Sequence, residues 1–321
     1  MPESSGAERR MAILGDNRSE SAMAFGRAAK AMLGQFAGRQ KRPRLGASRP
    51  LSVRLLPAAF CLLLSAYGLP LAAFCLPRPA PASEQSASQN PPAPPSRTDP
   101  KAQELLDQAV QALGGPAFVA AKSLTARGRV FAIADGATTG FAPFESTVEY
   151  PERRRFSYGK DKPVILVNDG ERGWQLDRYG MIRQPPEQIR RWRLANRYSL
   201  ENLLRRVIHE PGVLIQDGGA DFVDDLAVRV VDLMDARRIH LKLYLHKVTF
   251  LPVRISYRIQ NPETREWEEY AEVYGDYQNV QGIKTPMHIT RFLNGERFSE
   301  VFRRAAEYNA DYPSNYFTPV R

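Results

Sequence analysis

The four histidines of this 321-residue chain are His209, His240, His246 and His288, and none stands at the spacing of a metal-binding pair. His240 and His246 fall on the polar side of one alternating pattern, which makes them solvated side chains. Asp217, Asp221, Asp224 and Asp225 cluster in DGGADFVDD. They lack the D-x-D-x-D-G order and closing Glu of a calcium loop, so a solvated turn is the better reading. The sequence has no G-x-S-x-G, no H-E-x-x-H and no Gly-rich phosphate loop. Glu145, Glu149 and Asp169 are acids that nothing in the sequence brings together. Both cysteines, Cys61 and Cys75, lie within one apolar stretch, so thiol catalysis, a disulfide scaffold and Cys-ligated zinc are excluded for the rest of the chain. The expectation is a non-enzymatic protein with no catalytic residue, no metal and no cofactor.

What remains is the chemistry of apolar surface. Val130, Val148, Trp174, Leu241, Leu243, Ile255, Tyr257 and Ile289 sit in strand-like runs of two-residue period and are the candidate lining of an apolar cavity. At roughly 0.8 kcal/mol per buried methylene, one long acyl chain brings on the order of 10 kcal/mol before ordering costs. The competing reading of each residue is a core side chain packed under a helix. Arg190, Arg191, Trp192, Arg193 and Arg197 form a basic run with an interleaved aromatic. Such a run suits a helix laid against anionic lipid headgroups. It suits equally an exposed helix face paired with local carboxylates.

Several elements must position these residues. Asp99 caps and Pro100 opens a helix whose apolar positions are Ala102, Leu105, Leu106, Ala109, Val110 and Leu113, and Gly114-Gly115-Pro116 stops it. The period then becomes two. Strands are expected at 124–133, 146–150, 155–158, 164–167 and 173–176, with Asn168-Asp169-Gly170 as a turn. Pro185-Pro186 starts a basic helical insertion over 187–206, broken near Tyr198, with Ser199 capping its second part. Strands resume at 213–215, 227–233, 239–245, 253–259, 268–274, 287–292 and 297–304. Ile239, Leu241, Leu243 and Leu245 alternate against charged residues, with Tyr244 as the exception. Many consecutive strands with short turns imply a large antiparallel sheet that must curl. Its apolar face has only two helical segments to cover it, and a lined hollow is the natural ligand site.

The net charge of +10 is concentrated away from these elements. Residues 1–54 carry eleven Lys and Arg against four Asp and Glu, whereas from Pro100 onward there are 32 against 29. That balance is too even for nucleic-acid binding. Leu55 to Leu76 are 22 uncharged residues behind Arg42, Arg44, Arg49 and Arg54, a basic region followed by a hydrophobic one. Ala80-Pro81-Ala82 offers a cleavage site, and the stretch is also long enough to stay as a single membrane anchor. Either route exports the C-terminal remainder of the chain. The leader is longer than usual, and Met11, Met23 and Met32 are candidate later starts. Phe74 before Cys75 is too bulky for a lipobox. The expected organisation is a basic leader (1–54), a signal or anchor region (55–82), a Pro/Ala/Ser-rich linker (83–99) and one domain (100–321).

That domain resembles the LolA-like superfamily, the outer-membrane lipoprotein-sorting and related periplasmic lipid-carrier proteins. The resemblance rests on an ordered series: helix 101–113 ending in Gly114-Gly115, Val167-Asn168-Asp169-Gly170-Glu171-Arg172-Gly173-Trp174, and Phe250-Leu251-Pro252-Val253-Arg254-Ile255. Tyr274-Gly275-Asp276-Tyr277, Gly282-Ile283-Lys284-Thr285-Pro286, Tyr308-Asn309-Ala310-Asp311 and Phe317-Thr318-Pro319 complete it. It implies a mainly β fold, an open, unclosed barrel with a helical lid over an apolar concavity that accepts acyl chains. It transfers no functional residue. The expectation is a periplasmic binding protein holding a lipid or acylated protein, for transport or sensing, with possible membrane-surface contact. The alternative is a membrane-tethered interaction module whose barrel is filled by its own side chains.

Overall fold

The computed structural model describes residues 97–318. The expected leader (1–54), the signal or anchor region (55–82) and all but the last three residues of the linker lie outside them. The described strands, in chain order, are β1 (Arg97–Thr98), β2 (Ser123–Ala134), β3 (Ala137–Glu149), β4 (Arg153–Tyr158), β5 (Val164–Asp169), β6 (Arg172–Asp177) and β7 (Gly180–Arg183). After the helical insertion come β8 (Leu214–Val223), β9 (Leu226–Met234), β10 (His240–His246), β11 (Pro252–Gln260), β12 (Trp267–Val280), β13 (Ile283–Leu293) and β14 (Glu296–Tyr308). The helices are α1 (Pro100–Leu113), α2 (Pro116–Ala120), α3 (Pro186–Arg197) and α4 (Leu200–Arg205).

All strands join one sheet in the order β1-β8-β9-β10-β11-β12-β13-β14-β2-β3-β4-β5-β6-β7. Apart from the short parallel contact of β1 with β8, every neighbouring pair is antiparallel. The sheet is open, because its two ends, β1 and β7, do not pair with each other.

Several strands differ from the sequence pattern, among them β1, which pairs with β8 within the expected linker, and β12, which runs on to Val280. β3 begins at Ala137 rather than near Ser146, because Gly140 and Pro143 interrupt the alternation without interrupting the ladder. β7, exposed along its whole length, carries no apolar period to betray it. β8 extends through most of DGGADFVDD, which the sequence suggests is a turn: a bulge at Asp217/Gly219 lets the ladder to β9 continue, and the turn is confined to Asp224-Asp225.

Helix α1 is capped as its sequence dictates, the Asp99 carboxylate accepting the Lys101 N–H at 2.9 Å. It buries Ala102, Leu105, Leu106, Ala109 and Leu113 against β8, β9 and β13. Leu241 and Leu243 of β10 lie opposite Leu233 and Val231 of β9 and belong to this main core. Tyr244 breaks the apolar run because it faces the other side, packing with Val223, Val228, Val230 and Val253 in a second, smaller cluster.

The β2–β14 contact is unusually close. A Cβ on Gly128 would lie 1.9 Å from the Phe302 carbonyl oxygen, at the bulge between Arg303 and Ala305. The bulge switches the phase of β14, so that Val301 is buried before it and Tyr308 after it. Gly128→Ala is therefore expected to force the two backbones apart and destabilise the fold by about 3 kcal/mol, measured as a lower midpoint in urea unfolding.

Candidate functional site

Helix α1 covers only part of the apolar face. Beneath α3 and α4 lies a cavity of about 600 Å³. Its sheet wall includes Leu124, Val148, Leu166, Ile255, Tyr257 and Ile289, and its helical wall includes Trp192, Leu194 and Leu200. α3 is amphipathic yet has no fully buried residue, so its apolar side borders the cavity rather than packing tightly onto the strands.

Polar ties fasten this lid at both ends. Before α3, the buried Asn168 side chain donates to Gln184 Oε1 at 2.9 Å, and Gln184 Nε2 donates to the Trp174 carbonyl at 2.9 Å. The approach leaves no room for a side chain at position 173: a Cβ there would sit 2.7 Å from Gln184 Oε1. After α3, the Asp235 carboxylate, 1% exposed, accepts the Tyr198 hydroxyl at 2.6 Å, Arg197 at 3.3 Å and the backbone N–H groups of Arg237 and Ile239. Arg197 also makes a two-point pair with Glu210. Asn202 bridges the helices by donating to the carbonyls of Pro151 and Asn196. Ser199 caps α4, its hydroxyl accepting the Asn202 N–H at 3.4 Å. Mid-lid, the indole N–H of Trp192 is buried and has no acceptor among the described residues.

Val148, Ile255, Tyr257 and Ile289 line the cavity. Val130, Leu241 and Leu243 are buried in the same main core but are not part of the cavity lining. Trp174, on β6, is half-buried outside the lining, with the Arg172 guanidinium 5.6 Å from its ring. Of the basic run, Arg191 and Trp192 face the cavity. Arg190 pairs with Glu187, Arg193 with Glu171 at 3.2 Å, and Arg197 with the buried anchor just described.

Sequence reasoning missed the charged floor. Arg154 of β4, Glu272 of β12, Arg291 of β13 and Arg303 of β14 all line the cavity. Glu272 and Arg291 stand directly opposite in the β12–β13 register, Arg291 Nε donating to Glu272 Oε1 at 2.7 Å, while the Tyr274 hydroxyl donates to Glu272 Oε2 at 2.9 Å. Burial by itself would raise the Glu272 carboxyl. The Arg291 charge and hydrogen bond, with Tyr274, outweigh it and hold the carboxyl below its usual range. A signal existed: Tyr270, Glu272 and Tyr274 share one face of a strand, as do Ile289 and Arg291, so each charge rides in phase with apolar neighbours.

Because the folded-state pKa of Glu272 is depressed below its ordinary 4.5, the pair's contribution is complete above that value and is lost as pH falls through the folded one. Thermal unfolding between neutral pH and pH ~3 should therefore show a steeper loss for the native chain than for Glu272→Gln. Asp235→Ala, which leaves the buried Tyr198 hydroxyl and the N–H groups of Arg237 and Ile239 without their acceptor and leaves Arg197 to Glu210 alone, should cost about 3 kcal/mol by denaturant unfolding.

No protein-family model and no curated protein matches the sequence. Among solved structures, the chain is similar to a DUF1329 family protein from Desulfovibrio piger, with 11% identity and a TM-score of 0.47 over 68% of this chain and 98% of that one. It is similar to a LolA superfamily protein from Nitrosomonas europaea, with 16% identity and a TM-score of 0.44 over 68% and 97% of the two chains. A domain assigned to outer membrane lipoprotein sorting from Vibrio parahaemolyticus gives 9% identity and a TM-score of 0.44 over 68% and 97%. The functional reading rests on the cavity's own residues. The described strands form an open, unclosed antiparallel sheet whose inner face is covered in part by α1 and in part by the α3–α4 lid.

Proposed function

We propose that this chain is an exported envelope binding protein that holds a lipid, or the acyl chains of a lipid-modified protein, beneath the α3 lid, for transport or sensing. The observation that carries this reading is the cavity. Its volume of about 600 Å³ falls in the range of roughly 300–1,000 Å³ typical of ligand pockets, and apolar strand residues make up much of its wall. An acyl chain needs only this, since its affinity comes from area removed from water. The same vacancy counts against a barrel filled by its own side chains.

The lid suits the role. Its anchors sit at its ends, and its apolar side meets the cavity, so a ligand can replace cavity-facing contacts without breaking the buried Asp235 cluster. Export is supported by the basic and apolar segments of residues 1–82. Among the described residues, no helix is long and apolar enough to cross a membrane.

The test is organic extraction and mass spectrometry of the full-length chain purified from a bacterial host, with titration of a fluorescent fatty-acyl probe. Co-purified lipid and saturable probe uptake are expected. Narrowing the cavity with Val148→Trp and Ile289→Trp together should weaken uptake about tenfold or more. A lipid-free protein that takes up no probe would overturn the proposal.

A further inference from the structure

Resting on the carrier reading, we propose that the cavity selects an amphiphile with a single negative charge, whose acidic headgroup docks between Arg154, Arg303 and Arg291 while its chain runs along the apolar wall. All three arginines line the cavity, yet they come from β4, β14 and β13. In the sheet order, β13 and β4 are separated by β14, β2 and β3. Flat strands so placed would stand roughly 19 Å apart. The curl of the sheet turns both walls onto one hollow.

The three cations are unequally satisfied. Arg291 is paired with Glu272, whose two oxygens are taken by Arg291 and Tyr274. Arg303 donates to the Pro286 carbonyl at 2.9 Å, and Arg154 lies 4.5 Å from the Phe156 ring. Among the described residues, neither Arg154 nor Arg303 forms an ion pair. Glu201 of α4 also lines the cavity, and among the described residues it forms no ion pair. Three guanidinium groups thus face two carboxylates, an excess of one positive charge. The whole lining is balanced, because Glu187, Glu263 and Arg191 also border it. The excess is therefore local to the floor, and the selectivity it gives is positional.

A network serving structure alone would pair its cations, since even a half-buried charge such as Arg154 or Arg303 is costly to leave uncompensated. Arg154 shows the cost: burial, then the charges of Arg291 and Arg303, pull its pKa down to about 10. One carboxylate or phosphodiester between Arg154 and Arg303 would relieve that repulsion and accept charge-assisted hydrogen bonds from planar donors suited to it. A neutral ester would leave both cations unmet, and an amine would add to the repulsion. A free inorganic anion would satisfy the arginines but leave the apolar wall unused.

The test compares a fluorescent long-chain fatty acid with its methyl ester, titrated near neutral pH into the full-length chain. The acid is expected to bind about tenfold tighter, which corresponds to about 1.4 kcal/mol. Arg154→Gln with Arg303→Gln should erase the preference while ester binding persists, which also reports that the variant is folded. Glu272→Gln, which frees Arg291, should enlarge the preference, an effect that general destabilisation would not produce. Equal binding of acid and ester would overturn the headgroup site and leave the carrier reading standing. Absence of binding by either would overturn both. Thermal protection by inorganic phosphate equal to that by the fatty acid would assign a free-anion site and overturn the amphiphile.

Discussion

A single hydrogen-bonded ladder running from β8 around to β7 fixes most of what this molecule can be. Side chains alternate strictly along each strand, so the ladder sends half of them to the inner face, and a curling sheet of this length cannot bury that face against itself without closing. It does not close. Helices must therefore cover the inner face, and the described residues supply two helical segments, α1–α2 and α3–α4. α1, fourteen residues long with five buried, seals the face over β8, β9 and β13. α3 covers the remainder with no residue fully buried. The hollow beneath α3 is the direct consequence of unequal cover on one continuous surface.

The lid is held in a way that separates stability from access. At its far end the buried Asp235 carboxylate gathers a tyrosine hydroxyl, a guanidinium and two backbone donors, which makes that corner hard to open. At its near end the Asn168–Gln184–Trp174 chain of hydrogen bonds plays the same part. Between these anchors the helix relies on ion pairs such as Arg193–Glu171, exposed and individually weak, and on side chains that meet the cavity. Local opening concentrates where buried contacts are few, and here that place is the stretch of α3 that borders the cavity.

Inside, the mixture of greasy wall and charged floor arises from strand phase. Glu272 and Arg291 are directly opposed residues on the inner face of β12 and β13, so they pair across the ladder as cross-strand neighbours do. Arg303 is brought to the same hollow just before the β14 bulge, where Gly128 lets the backbones approach. The site is chemically amphipathic because the sheet places polar residues in apolar phase at a few chosen positions.

Much of this was legible in the residues themselves. Asp99-Pro100 and Gly114 bracket α1, Ser199 caps α4, and the alternation of Leu241, Leu243 and Leu245 marks an inner face, because these signals are local and depend on backbone geometry alone. The mainly β architecture and its helical insertion are written in the same periods. What local pattern could not supply was which inner-face residue meets a helix and which meets empty space. Leu243 and Ile255 have the same pattern and face each other across β10 and β11, yet only Ile255 lines the cavity. Nor does Arg153-Arg154-Arg155 say which arginine turns inward. The register of β4 with β3 and the curl of the whole sheet select Arg154, leaving Arg153 to Glu149 and Arg155 to the Tyr316 ring. Strand periods are set by neighbours in sequence, whereas a shared hollow is set by strands far apart in the sheet, and only folding brings those together.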